Sequence, residues 1–117
     1  MARHEGSCHC GGVTFEVDAE LEGLATCNCS MCGRSGAIMV FVPDTALTRT
    51  KGEELLTDYQ FGKKHIHHAF CSVCGSRPYA WGKGEDGSAW AMVNVRCLND
   101  LDVHTLEITK RYDGRSL

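Results

Sequence analysis

The sequence predicts an all-β domain with few or no helices, its strands clipped together by metal ions. Three observations lead there. Short apolar runs alternate with polar residues at a period of two, and no stretch carries a three-turn helical pattern. Eight cysteines, set in tight groups, run through a chain of 117 residues. At that length the chain reads as a single domain, 1–117, with a real but modest core.

The strands follow in order. Val13, Phe15 and Val17 alternate with Thr14 and Glu16, which describes a half-buried strand. Ala37 to Val42 is continuously apolar and ends at Pro43-Asp44, the pattern of a strand buried on both faces. Leu55, Thr57, Tyr59 and Phe61 alternate with Leu56, Asp58 and Gln60, and Gly62-Lys63-Lys64 then turns the chain. Ile66, His68 and Phe70 face one side of the next strand, opposite His65, His67 and Ala69. Trp90, Met92 and Asn94 alternate with Ala91, Val93 and Val95, and Gly84-Glu85-Asp86-Gly87 is a turn between these last two strands. A final strand is expected at Leu106–Ile108.

Composition excludes several classes of function. The longest apolar run has six residues, far short of a membrane span, and the first six residues lack the apolar stretch of a signal peptide. The formal charge of −3 offers no basic footprint for nucleic acid or an anionic membrane. A cytoplasmic protein is expected.

The cysteines at positions 8, 10, 27, 29, 32, 71, 74 and 97 read as C-x-C, C-x-C-x-x-C, C-x-x-C and a single. In a reducing compartment, one- and two-residue gaps suit shared metal ions better than disulfides. An all-thiolate set suits Zn²⁺ or an iron–sulfur cluster, and the ferredoxin spacings are not matched. Zinc is therefore expected. Cys27, Cys29 and Cys32 can ligate one ion as a trio, while Cys8 with Cys10 and Cys71 with Cys74 form two half-sites of a second. Two other partitions remain: Cys71, Cys74 and Cys97 could share an ion, or Cys97 could close the trio. A closed site is structural, and an open one leaves a position for chemistry.

Four stretches carry a family resemblance. They are Gly6-Ser7-Cys8-His9-Cys10-Gly11-Gly12-Val13-Thr14-Phe15, Cys27-Asn28-Cys29-Ser30-Met31-Cys32-Gly33-Arg34-Ser35-Gly36-Ala37, His68-Ala69-Phe70-Cys71-Ser72-Val73-Cys74-Gly75, and Asn94-Val95-Arg96-Cys97-Leu98. Together they resemble the glutathione-dependent formaldehyde-activating enzyme (Gfa-like) family, which also includes centromere protein V. The resemblance implies an Mss4-like tent of β-sheets and two zinc ions per chain. It places Cys8, Cys10, Cys71 and Cys74 at a structural zinc and Cys27, Cys29 and Cys32 at a catalytic zinc. It also implies a carbon–sulfur lyase acting on glutathione, or a similar small thiol, and an aldehyde. The chain is compact beside the founding enzymes, so the resemblance bears on zinc chemistry more directly than on glutathione as the substrate.

Three thiolates on Zn²⁺ leave the centre at about −1, which favours binding and activating a thiol over activating water. The alternative is a non-enzymatic module whose zinc ions only hold the fold. With both ions bound and seven thiolates formed, the charge moves from −3 to about −6, so no nucleic-acid partner is expected. His68 is a candidate acid, base or pocket residue, while His65 and His67 read as packing or surface histidines. His9 reads as a bystander between two ligands. Arg34 and Arg96 are candidate carboxylate binders, each equally well a solvated arginine. Trp81 and Trp90 read as core or pocket wall.

Overall fold

A computed structural model describes residues 2–116 and is built almost wholly of strands. They are β1 (Arg3–Ser7), β2 (Thr14–Asp18), β3 (Ala25–Cys27), β4 (Met39–Pro43), β5 (Leu47–Lys51), β6 (Leu56–Tyr59), β7 (Ile66–Cys71), β8 (Tyr79–Lys83), β9 (Ala89–Asn94) and β10 (Lys110–Tyr112). A six-residue helix, α1 (Ser30–Ser35), interrupts them, with single 3₁₀ turns between strands. The all-β expectation is met.

The strands form two sheets. One has the order β1-β2-β5, and the other runs β10-β3-β4-β9-β8-β7-β6. Pairing is antiparallel except for β10 on β3. Alternation along each strand decides what the sheets bury. Val13 precedes β2, and Phe15 and Val17 of β2 meet Val40 and Val42 of β4, Tyr79 of β8 and Val93 of β9 in the main core. Phe15 packs edge-on against Tyr79, with ring centroids 5.6 Å apart. The other face of the large sheet carries a smaller cluster of Ala37, Met39, Ala80 and Met92. Cys27, Cys32, Ile66 and Trp90 pack against that second cluster. One sheet therefore serves two purposes: one face makes the core, and the other makes a wall beside Cys27 and Cys32.

Several expectations shift. The predicted final strand at Leu106–Ile108 is not one; those two apolar residues pack on the core in irregular chain, and the strand falls at Lys110–Tyr112. Its three residues are exposed and pair only with β3, so no apolar alternation marks it. The continuous apolar run is buried on both faces only in part, since Phe41 of β4 is 47% exposed. The Gly84–Gly87 turn leads into β9 from β8, a strand whose Ala80 and Gly82 hide the alternation.

Candidate metal centres

Both halves of the first cysteine group begin with tight local turns. After β1, the Gly11 amide donates to the Cys8 carbonyl at 3.1 Å, and Val13 N–H donates to Cys8 Sγ at 3.3 Å. After β7, the Gly75 amide donates to the Cys71 carbonyl at 2.8 Å, and Val73 N–H donates to Cys71 Sγ at 3.4 Å. Gly75 adopts φ +81°, a conformation that glycine enters without steric cost and that lets the chain turn back around the sulfurs. The two turns belong to different sheets, and their thiols meet. Cys8, Cys10, Cys71 and Cys74 place their sulfurs within 4.8 Å of one another. Cys8 and Cys10 are 3.5 Å apart, and Cys10 and Cys71 are 3.7 Å apart.

Those spacings fit a metal ion and not a disulfide. A tetrahedral ion with metal–sulfur bonds of about 2.3 Å holds its sulfurs about 3.8 Å apart. A disulfide would need about 2.05 Å. The thiols also polarise one another. Backbone N–H groups from Ser76 and Cys10 pull Cys74 down to about 5. The Gly12 amide lowers Cys10, but Cys8, burial, Cys71 and Cys74 outweigh it and push Cys10 up to about 11. Four sulfurs at this distance do not all ionise without a cation among them. The quartet suits one.

The trio is built differently. Cys27 ends β3, Cys29 caps α1, and Cys32 lies in its first turn. The Cys32 amide donates to Cys29 Sγ at 3.3 Å and the Cys29 amide to Cys27 Sγ at 3.4 Å. Gly36 then closes the helix at φ +71°, its amide donating to the Cys32 carbonyl. The spacing C-x-C-x-x-C is thus a strand end, a cap and a first turn. The three sulfurs lie within 4.8 Å of one another, and among the described residues no further Cys, His, Asp or Glu joins them. Burial, then the neighbouring Cys29, pushes Cys32 up to about 12, which again marks sulfurs that need a cation.

Cys97 closes neither group. It donates to the Arg77 carbonyl at 3.7 Å, and burial, then the Cys8 and Cys74 charges, pushes its thiol up to about 11. The partition that closes the trio with Cys97 is therefore not the one the chain adopts. His9 is exposed and outside the quartet.

The trio opens on a cavity of about 510 Å³ along the second face of the large sheet. Met39, Phe41, Phe61, Trp90, Met92 and Tyr112 wall it, and His68 is part of its lining. His68 is buried and stacks on Phe61, with ring centroids 5.1 Å apart. Arg77 Nη2 lies 3.1 Å from His68 Nδ1, and Arg77 Nη1 donates to Ser35 Oγ. A guanidinium only donates, so Nδ1 accepts and the imidazole proton sits on Nε2. Burial, then the Arg77 charge, holds the His68 pKa below its ordinary value. Burial lowers Arg77 too, while the Cys32 and Cys29 thiolates act to raise it, so the guanidinium stands as a counter-charge to the trio.

His67 points to the opposite face from His68. It stacks flat on Trp81 and bonds Asp58 at 2.6 Å, so it is a packing histidine. With His65 and Trp81 it lines a larger cavity, about 760 Å³, that contains no thiol. Trp90 is a pocket wall, as expected. Arg34 and Arg96 direct their guanidinium groups to the Ser30 and Gly36 carbonyls.

The description "Glutathione-dependent formaldehyde-activating enzyme" belongs to the family that matches residues 3–112. The chain belongs to that family. The chain is also similar to a crystal structure of a Rhodobacter sphaeroides protein from a structural genomics programme. The two are 32% identical with a TM-score of 0.81, over 92% of this chain and 98% of that one. Within the shared family frame, three residues carry roles that sequence reasoning missed. Arg77 orients His68. Asn28, between two trio thiols, bonds Asp113 at 3.0 Å and accepts from the Arg115 amide at 3.1 Å, tying the C-terminal segment over the trio. Gly114 sits so close that a Cβ there would lie 2.8 Å from Cys27 Sγ. The order Cys-Asn-Cys was the available signal for Asn28, whereas Arg77 and Gly114 had none.

Proposed function

We propose that the chain is a zinc-dependent enzyme of carbon–sulfur lyase type, acting as one domain in the cytoplasm and making or breaking a thiol–aldehyde adduct. The thiol and aldehyde named by its family are glutathione and formaldehyde. Cys8, Cys10, Cys71 and Cys74 hold a structural zinc, and Cys27, Cys29 and Cys32 hold a working one. The observation that carries this reading is the trio itself: three thiols with no fourth Cys, His, Asp or Glu beside them among the described residues, opening on a cavity.

A zinc ion on the trio would supply an open position and lower the pKa of an incoming thiol. The chain's own groups do the rest. The apolar wall excludes water from the reacting carbonyl and raises the effect of every nearby dipole. The sulfur electron pair adds to the carbonyl carbon while charge develops on the oxygen. His68, held neutral with its proton on Nε2, lines the cavity and can donate a hydrogen bond that stabilises the developing oxyanion, while the proton the thiol gives up ends on that oxygen. In the reverse direction the hydroxyl proton returns to the departing sulfur while the same N–H steadies the oxygen. Arg77 positions His68 and offsets the negative trio.

The test is exchange NMR on zinc-loaded protein with glutathione and ¹³C-formaldehyde. Adduct exchange faster than in buffer, lost in Cys29→Ser, is expected. A rate equal to the uncatalysed one ends the glutathione reading.

A further inference from the structure

The cavity beside the trio is the wrong shape and chemistry for the family's named substrates alone. Formaldehyde has one carbon and no apolar group, yet the space measures about 510 Å³, the range of pockets that enclose whole organic ligands. Among the described residues no Lys, Arg, Asp or Glu lines it, so the two carboxylates and the ammonium of glutathione find no ionic partner among them. Its mouth is aromatic. Phe41, Phe61 and Tyr112 are 47%, 39% and 47% exposed, and Phe41 makes edge contacts with both Trp90 and Tyr112. Large aromatic side chains left facing water around one opening mark a surface that binds something apolar.

The charged half of a thiol substrate has another place to go. A separate depression shares Cys29 and Gly114 with the cavity and is lined by Arg34 and Arg115, with no Asp or Glu among the described residues. The trio therefore stands between a cationic side and an apolar side. Resting on the thiol–aldehyde reading above, we infer that the apolar side takes the hydrocarbon group of the carbonyl substrate, an aldehyde with an aryl or medium alkyl chain. The reaction is an addition: the sulfur bonds the carbonyl carbon, the C=O π pair moves to oxygen, and the thiol proton ends on that oxygen. No oxidant or reductant is needed. Met39 and Met92 on the cavity floor supply adaptable contacts for chains of differing shape.

Two measurements on zinc-loaded protein test this. In the first, ¹³C-methyl-methionine NMR follows titration with benzyl alcohol, an unreactive mimic of an aryl aldehyde. The Met39 and Met92 methyls are expected to shift at saturating ligand, and Phe41→Glu or Phe61→Glu, both at exposed positions, should weaken binding about tenfold. In the second, exchange rates for formaldehyde, acetaldehyde, butanal and hexanal with glutathione are each divided by the uncatalysed rate. The ratio should climb with chain length, by up to about fourfold per buried methylene. Unshifted methyls, or a flat or falling series, overturn the inference. Shifted methyls with no acceleration for any aldehyde, formaldehyde included, instead overturn the thiol–aldehyde reading and leave an apolar ligand site.

Discussion

Arg77 Nη2 donates to Nδ1 of His68 at 3.1 Å, which fixes a neutral imidazole with its proton on Nε2 in the wall of the trio's cavity. The same guanidinium sits in the field of Cys32 and Cys29, so one residue couples the trio to the hydrogen-bond donor. Replacing His68 with Ala should lower the exchange rate by about 10²- to 10³-fold, the usual contribution of one donor to a developing oxyanion. Arg77→Met should cost less, about 10- to 100-fold, with both zinc ions retained. Metal analysis beside the rate measurement separates the two roles from simple loss of metal.

The pH dependence follows from the same pair. Burial and Arg77 hold the His68 pKa below 6.5, so the neutral form persists through neutral pH. As pH falls past 6.5 the unfolded chain takes up this proton before the folded one does, so the group's contribution to stability, complete above 6.5, declines on the acid side. Protonation of Nδ1 also expels the Arg77 hydrogen bond. Activity is therefore expected to hold flat above 6.5 and fall on acidification, at a higher pH in Arg77→Met, where the repelling charge is gone. A pH–rate profile of both proteins checks the displacement.

Gly114 should be intolerant for a local reason. A Cβ at that position would lie 2.6 Å from Cys29 Cβ and 2.8 Å from Cys27 Sγ, and neither can yield without moving a ligand. Gly114→Ala is expected to lose the trio's ion and the activity, with the thermal midpoint within a few degrees of the parent. Zinc content with a melting curve measures both.

Cys71 and Cys97 are both well covered thiols, but they should behave differently. Cys71 joins turns from two sheets, 61 residues apart from Cys10 in sequence, so losing it opens a long cross-link. Cys71→Ser should cost about 3 kcal/mol or more, a fall of roughly 12 °C or more in the midpoint. Cys97 bonds only a backbone carbonyl, so Cys97→Ala should keep both ions and cost about 1 kcal/mol.

The strands legible in the sequence were those with one face in the core. β2 shows alternation because Phe15 and Val17 are buried while Thr14, Glu16 and Asp18 are half-buried, whereas β7 and β9 turn buried residues to both faces, Ala69 beside His68 and Val93 beside Met92. β1 and β5 pair on the two sides of β2 but bury one residue each, Gly6 and Leu47, so no pattern distinguishes them from loop. β8 was hidden by its own small residues: Gly82 leaves no room for a Cβ, which would lie 2.8 Å from the Trp90 ring. The trio was legible because its motif is local, and the quartet because each of its two half-sites is local even though they lie 61 residues apart. Arg77 and Gly114 were not, since their partners Ser35 and Cys27 lie 42 and 87 residues away and only the finished fold brings them together.

The central claim is a division of labour between four thiols that hold the fold and three that hold a working ion. Zinc per chain in the parent protein and in Cys29→Ser tests it most directly. Two ions in the parent and one in a still-folded Cys29→Ser are predicted. One ion in both proteins, or loss of both ions with unfolding in Cys29→Ser, would contradict it.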